Sequence, residues 1–353
     1  MSSAEHDIHD DEEDFNDELF EHHKAKADAG QAPLRIDKFL VDRIPNLSRS
    51  KIAEAARSGH VQVNGIAVKP NHKVKPEDEV SIVYSEPKRT LKLIPEDIPL
   101  DIVYEDDAVL VINKPADFVV HPGHGNYSGT LVNALLHHFG HLPSNPSSDT
   151  AYPGLVHRID KDTTGLLVIA KKEEVLTHLA GQFFKRTTSR NYIALVWGDI
   201  EEDSGTIEGN IGRSFSDRKQ MTVYEDPEEG KPAITHYEVL ERLGYVTLIR
   251  CKLDTGRTHQ IRVHLKHIGH TLFGDVRYGG NKILKGTTFT KYRQFVENCF
   301  QILPRQALHA QTLGFTHPET GKWMEFEAAM PDDLVQVVEK WRRYVKANHG
   351  EIQ

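Results

Sequence analysis

Cysteine is nearly absent from this chain, with two residues, Cys251 and Cys299, among 353. So few exclude a disulfide framework and a thiolate-built zinc site, and they fit a reducing, cytoplasmic compartment. Long apolar runs are missing too. No stretch approaches the roughly 18 residues of a membrane-spanning helix, and the N-terminus has neither the basic nor the apolar region of a secretory signal. Nor is there an excess of positive charge: 43 Lys and Arg stand against 52 Asp and Glu, a formal net charge of −9. As a bulk number this argues against a nucleic-acid partner. Nucleotide and metal signatures are also lacking. Gly123, Gly125 and Gly129 miss the dinucleotide spacing by one residue and are not followed by Gly-Lys-Ser/Thr. Ile159 separates His157-Arg158 from Asp160, unlike a kinase catalytic loop. The 21 histidines include His259, His264, His267 and His270, but no HExxH occurs and their spacing matches no zinc pattern, so no metal is expected.

What is present has a marked distribution. Residues 1–30 hold eleven acids against Lys24 and Lys26, which accounts for the whole −9. Segment 1–32, acidic, poor in aliphatics and closed by Gly30-Gln31-Ala32-Pro33, reads as a disordered tail. A small module follows over 33–84. Ile36, Phe39, Leu40 and Ile44 recur at helical spacing, and Pro45-Asn46 stops that helix. Ser48 is placed to cap a second helix carrying Ile52, Ala55 and Ala56, which Gly59 ends; His60–Val63 and Ile66–Lys69 flank an Asn64-Gly65 hairpin turn. Between Leu34 and Lys75 nine bases face three acids. Such a cluster is either a solvated face or a footprint for a phosphate backbone; in the second case Arg35, Lys38, Arg49, Lys51 and Arg57 are its candidate contacts.

A linker with three prolines spans 85–99, a larger domain 100–346, and a short tail 347–353. In that domain strand-like runs recur at 102–104, 109–113, 166–170, 192–197, 234–240 and 246–253, with helical patterns at 130–139, 173–185 and 332–345. Many strands with few intervening helices predict an α+β fold on a mixed, largely antiparallel sheet. Its densest polar constellation is Val156–Lys171, VHRIDKDTTGLLVIAK. If extended, Asp160 and Asp162 share a face. They then resemble the paired carboxylates of glycosidic-bond chemistry; otherwise they brace a turn before a strand. Both readings stand on the residues alone.

Two resemblances bear on the choice. LRIDKFLVDRIPNLSRSKIAEAARSGHVQVNGIAVK resembles an S4 domain, a small RNA-binding fold. HRIDKDTTGLLV is similar to the HRLDKDTSGLLV signature of the pseudouridine synthases that act on ribosomal and transfer RNA, with Ile159 for Leu and Thr164 for Ser. Three further blocks agree, INKPADFVVHPG at 112–123, RNYIALVWG at 190–198 and TGRTHQIRVHL at 255–265. The resemblance covers nearly the whole chain from residue 34 and leaves out the acidic tail. With PLDIVYEDD and RQALHA also present, it points within the family to the enzymes of the ribosomal large subunit. It implies isomerisation of uridine to pseudouridine without a cofactor, on large-subunit ribosomal RNA or a ribosomal particle, with no membrane and no obligate protein partner. By position, Asp160 is the catalytic aspartate, Arg262 the basic residue paired with it, and Tyr192 the active-site tyrosine. Arg158, Lys114, His121, His157, Lys161, Arg257 and His259 lie in the same blocks as RNA contacts or cleft residues. The rival readings are another ribosomal or transfer RNA synthase of the family, an N-glycoside hydrolase and a non-catalytic assembly factor.

Overall fold

A computed structural model describes residues 20–44, 49–84, 93–123, 126–141, 143, 154–217, 219–226 and 228–348. These form two compact units, one within residues 1–92 and one from Leu93 onward. In the first, β1 (Phe20–Lys26) and β2 (Leu34–Arg35) precede α1 (Ile36–Arg43) and α2 (Arg49–Arg57); β3 (Val61–Val63), β4 (Ile66–Ala67), β5 (Lys73–Val74) and β6 (Glu79–Tyr84) follow. Ile36, Phe39 and Leu40 of α1 and Ile52 of α2 bury their side chains in one core with Val61, Val80 and Ile82. Helices this short are stable only when an apolar face packs in this way. Asn64 and Gly65 both adopt positive φ, 49° and 79°, as a two-residue hairpin turn between β3 and β4 requires. Pro45, Asn46 and the expected cap Ser48 lie outside the described residues.

The acidic tail is shorter than the sequence predicts. β1 pairs antiparallel with β6 from Phe20↔Tyr84 to Lys26↔Glu79, on the edge of β6 that β3 leaves open. Its acids and bases concealed it, because a strand added to an open edge is held by backbone hydrogen bonds and needs little apolar content. Lys24 pairs with Glu79 and Lys26 with Glu77, and Ala27 joins the core. The charge is relocated accordingly: residues 1–19 contain nine acids and no Lys or Arg, hence the entire −9.

The second unit contains β7 (Ile102–Glu105), β8 (Val109–Lys114), α3 (Leu131–Phe139), β9 (Thr164–Ala170), α4 (Glu173–Lys185), β10 (Ser189–Trp197), β11 (Ser204–Arg213), β12 (Met221–Tyr224), β13 (Lys231–Arg242), β14 (Val246–Leu253), α5 (Gln260–His267), α6 (Thr290–Ile302), β15 (Leu308–Thr316), β16 (Trp323–Glu327) and α7 (Asp332–Ala347). One sheet runs in the order β12-β11-β13-β14-β10-β15-β9-β8-β7, with β16 also on β15. Among the described strands its pairings are antiparallel except that of β9 with β15, which is parallel at His309↔Thr164 and Ala310↔Gly165. This is the mixed, largely antiparallel α+β sheet predicted from the sequence.

Side chains alternate across that sheet. Along β10, Tyr192, Ala194 and Val196 join a core with Leu131 and Leu135 of α3 and Ile261 and Leu265 of α5; Ile193, Leu195 and Trp197 join another with Val296 of α6 and Val337 and Trp341 of α7. β9 is buried along its whole length, with Leu167 and Ile169 in the first core and Leu166 and Val168 in a third that α4 covers. A strand covered on both faces reads as an unbroken apolar run. Cys251 and Cys299 lie in different cores, and burial pushes both thiols up to about 12. Residues 93–99, predicted as linker, belong to this unit: Leu93 and Ile98 pack on the first core, and Asn133 of α3 donates to the Ile94 carbonyl at 2.8 Å. The rest of that linker, 85–92, lies outside the described residues.

Candidate active site

The polar segment ahead of β9 is a turn, closed by the Thr163 N–H donating to the Asp160 carbonyl at 3.1 Å. Asp160 and Asp162 therefore do not share the face of an extended strand. Asp160 lines a cleft of about 410 Å³, within the ~300–1,000 Å³ usual for ligand sites, whereas Asp162 offers its carbonyl to Arg305 at 3.1 Å. Four buried side chains hold this turn. Lys114 Nζ donates to the carbonyls of Lys161, Phe118 and Pro115 (2.8, 2.9 and 2.6 Å). Arg305, clamped by Asp333, takes the Asp162 carbonyl. Gln306 donates to the Thr163 hydroxyl at 3.2 Å, and the Thr164 hydroxyl shares a hydrogen bond with His309 at 2.9 Å. Gly165 follows at φ 114°, where any Cβ would overlap the Ala310 carbonyl. Only glycine lets β9 approach β15 immediately behind the turn.

Arg262 reaches this aspartate from the first turn of α5, 102 residues along the chain, with Nη1 donating to Asp160 Oδ2 at 2.8 Å. Its Nε and Nη2 donate to the two oxygens of Asp275 at 2.7 and 2.8 Å. Asp275 is wholly buried, while the Asp160 side chain keeps 19% of its surface exposed. One guanidinium thus ties a carboxylate inside the fold to one facing the cleft. Burial alone would raise the Asp160 carboxyl, but the charges of His259, Arg262 and Arg158 outweigh it and hold the group below the usual carboxylate range. At neutral pH the arginines supply that effect, because burial pushes His259 itself down to about 4. Burial also opposes charge on Arg262, and its bonds to Asp275 and Asp160 more than restore it.

α5 is anchored at its start by Gln260, whose amide donates to the Ile234 carbonyl (2.9 Å) and whose oxygen accepts from the Arg257 N–H (3.0 Å). His259, just before it, holds the left-handed conformation at φ 56°, uncommon for a residue with a Cβ and frequent at functional sites. Its Nε2 lies 3.9 Å from Asp160 Oδ1, and its Nδ1 2.8 Å from the Tyr278 hydroxyl. Tyr192 lines the same cleft from β10, opposite a bulge in β15 where the register slips between Asn191↔Thr312 and Tyr192↔Ala310. Such a bulge re-aims the facing side chain.

The residues expected to contact RNA divide. Arg158 is exposed at the cleft, and Arg257 lines it while its Nε donates to the Pro232 carbonyl at 3.1 Å. His121, His157 and His259 also line it, but burial pushes them down to about 4, 3 and 4. Each is neutral at pH 7 and brings no charge to a phosphate. His157 is further committed to the fold, its Nε2 accepting from the Val168 N–H at 3.1 Å and its ring stacked on Phe183. Lys114 is not an RNA contact. It has no exposed surface, and its ammonium braces the turn that carries Asp160. Lys161 pairs at the surface with Asp117. In the first unit, Arg35 and Arg49 both bond the buried Asp37, at 3.2 and 2.9 Å, so one acid offsets part of their charge. Lys38 and Arg57 are exposed; the Lys51 side chain lies outside the described residues.

Sequence reasoning missed Arg190, Asp275 and Tyr278, and noted RQALHA without giving Arg305, Gln306 and His309 a task. The available signal was chemical: polar side chains inside an otherwise apolar strand-forming segment must find partners in the interior. Among the described residues no three His, Cys, Asp or Glu side chains converge as a metal site requires, and no helix is long and apolar enough to cross a membrane.

The family profile for RNA pseudouridylate synthase matches residues 108–267, and that for the S4 domain residues 34–80. The chain is 46% identical over 321 residues to an uncharacterized RNA pseudouridine synthase of Chlorobaculum parvum, covering 91% of this chain and 98% of that one. To ribosomal large subunit pseudouridine synthase D of Vibrio parahaemolyticus it is 43% identical, over 88% of this chain and 91% of that one. To the Escherichia coli protein of the same name it is 41% identical, over 93% and 97%. Identity of this order across most of both chains, on a fold that brings the signature aspartate and a distant arginine into one cleft, makes this chain a member of the RNA pseudouridine synthase family, with an S4 domain ahead of its catalytic domain.

Proposed function

We propose that this synthase isomerises particular uridines of large-subunit (23S) ribosomal RNA, in the cytoplasm, with Asp160 as its catalytic carboxylate and no cofactor. Relatives named for the ribosomal large subunit, similar over nearly their whole length, support the target. The observation that carries the mechanism is the Asp160–Arg262 pair in a cleft lined by four arginines and a single acid. In the reaction the N1–C1′ bond breaks, the uracil turns while held, C5 bonds to C1′, and the C5 hydrogen leaves as a proton while N1 gains one. Addition of the carboxylate to the base, capture of C1′ and proton removal from C2′ all need an ionised, fixed oxygen. Arg262 supplies both conditions. Tyr192 offers a ring on which the uracil stacks. Extruding a base from folded RNA costs a few kcal/mol, and Arg158, exposed at the cleft, holds the RNA around the vacated space.

The test is tritium release from 5-tritiated uridine in large-subunit ribosomal RNA, with the mass of the product RNA measured alongside. Wild type is expected to release tritium at constant RNA mass and Asp160→Asn to lose at least about a thousandfold in rate. Release by Asp160→Asn at the wild-type rate would remove the aspartate from the mechanism, and activity confined to other RNAs would move the target.

A further inference from the structure

Arg190 is the second residue of β10, two before Tyr192, on the same side of the strand and roughly 7 Å along it. It lines the cleft and is only 8% exposed, yet among the described residues its guanidinium meets no hydrogen-bond acceptor and no acid, and Nε is buried without a partner there. Its neighbours are the Phe183 ring, 5.3 Å from Cζ, and Gly256, where a Cβ would stand 3.1 Å from Nη1. The other buried arginines of this region are neutralised: Arg262 by Asp160 and Asp275, Arg305 by Asp333. A buried cation is normally paired, because leaving it alone forfeits its hydration without compensation.

We propose that Arg190 binds a phosphodiester of the substrate RNA strand beside the uridine whose base rests on Tyr192. This rests on the cleft being the RNA site. Phosphate is favoured over a uracil carbonyl by charge: an anion neutralises the buried cation, whereas a neutral oxygen leaves its charge standing. Phe183 holds the guanidinium from one side, and the fork of donors suits two phosphate oxygens at once.

The experiment measures binding of a large-subunit RNA stem-loop against salt concentration, all variants carrying Asp160→Asn so that no turnover intervenes. Arg190→Met is expected to weaken binding by about tenfold or more and to lower the slope of log Kd against log salt by about 0.7–0.9, the signature of one lost phosphate contact. Arg190→Lys keeps the slope and loses part of the affinity. An unchanged slope in an Arg190→Met protein that melts like its parent overturns the proposal. Should Arg190→Met fail to fold, a single uncharged methylphosphonate is moved along the phosphates flanking the target uridine. One position is expected to reproduce the slope change, with a smaller penalty in Arg190→Lys; no such position overturns the proposal. Turnover by Asp160→Asn itself would instead sink the reading of the cleft.

Discussion

The S4 unit and the cleft that Asp160 lines carry positive charge in opposite ways. Between Leu34 and Lys75 the bases outnumber the acids nine to three; of those described, Arg35, Lys38, Arg49 and Arg57 are exposed, Arg35 and Arg49 share Asp37, and the half-buried Arg43 meets Asp28. Residues 76–353 hold 32 bases against 38 acids, yet the cleft that Asp160 lines has four arginines and a single acid around it. A count along the chain therefore finds the first and overlooks the second. Exposed charges act additively and are screened by salt. Buried ones depend on who stands within 3 Å, and losing one partner is costly.

The contrast breaks most sharply at Asp275. Asp275→Asn leaves the buried Arg262 with Asp160 alone, and urea unfolding is expected to show a loss of about 3–5 kcal/mol, against less than about 1 kcal/mol for Arg49→Ala in the S4 unit. Equal losses would mean that the two regions do not differ in kind. Lys114→Met removes the brace beneath the Asp160 turn; kcat should drop and stability fall by about 3 kcal/mol with RNA affinity unchanged. Weaker RNA binding at full kcat would restore Lys114 as an RNA contact.

The cleft histidines give a pH test that the exposed S4 bases do not. Their folded pKa values, about 4, 3 and 4 for His121, His157 and His259, lie below the ordinary 6.5, so between these limits the unfolded chain binds more protons. Stability is accordingly full above pH 6.5 and is lost as pH falls toward 4, visible as a falling Tm, and kcat/KM shows no histidine limb near 6.5. A limb there would show that one of them exchanges a proton in the reaction. Within the S4 unit, Lys38→Ala and Arg57→Ala should each weaken RNA binding a few-fold and flatten the salt slope by about 0.7–0.9, while Arg35→Ala, tied to Asp37, changes it less. The smallest effect belongs to the tail. Deleting residues 1–19 removes nine acids and should tighten binding modestly at low salt and not at high salt. Deleting 1–30 also removes β1 from β6 and should lower the melting temperature of the S4 unit; if it does not, β1 is dispensable to that unit.

Where burial follows a simple period, the chain was legible. Helix α4 falls at Glu173–Lys185 as its periodicity predicts, and the β9 run announces a strand covered on both faces. Helix α5 was hidden for a physical reason. Ile261, Val263 and Leu265 alternate with Arg262 and His264, the pattern of a strand, because all of Gln260–Leu265 is buried and no polar face remains to mark the helical repeat. β1 was hidden conversely, its residues too charged to advertise a strand that an open sheet edge nevertheless accepted.

By itself the sequence determined which residues had chemistry to offer: a signature aspartate before an apolar strand, a tyrosine and an arginine in two other blocks, and a basic module ahead of them. Only the tertiary structure decided what each one does. It placed Arg262 on Asp160 across 102 residues, turned Lys114 from an RNA contact into a brace, silenced three histidines by burial, and left Arg190 inside the cleft with no partner among the described residues. The reason is that a side chain's charge and reach are properties of its type, whereas its pKa, its partners and its access to substrate are set by neighbours that the chain brings in from far away.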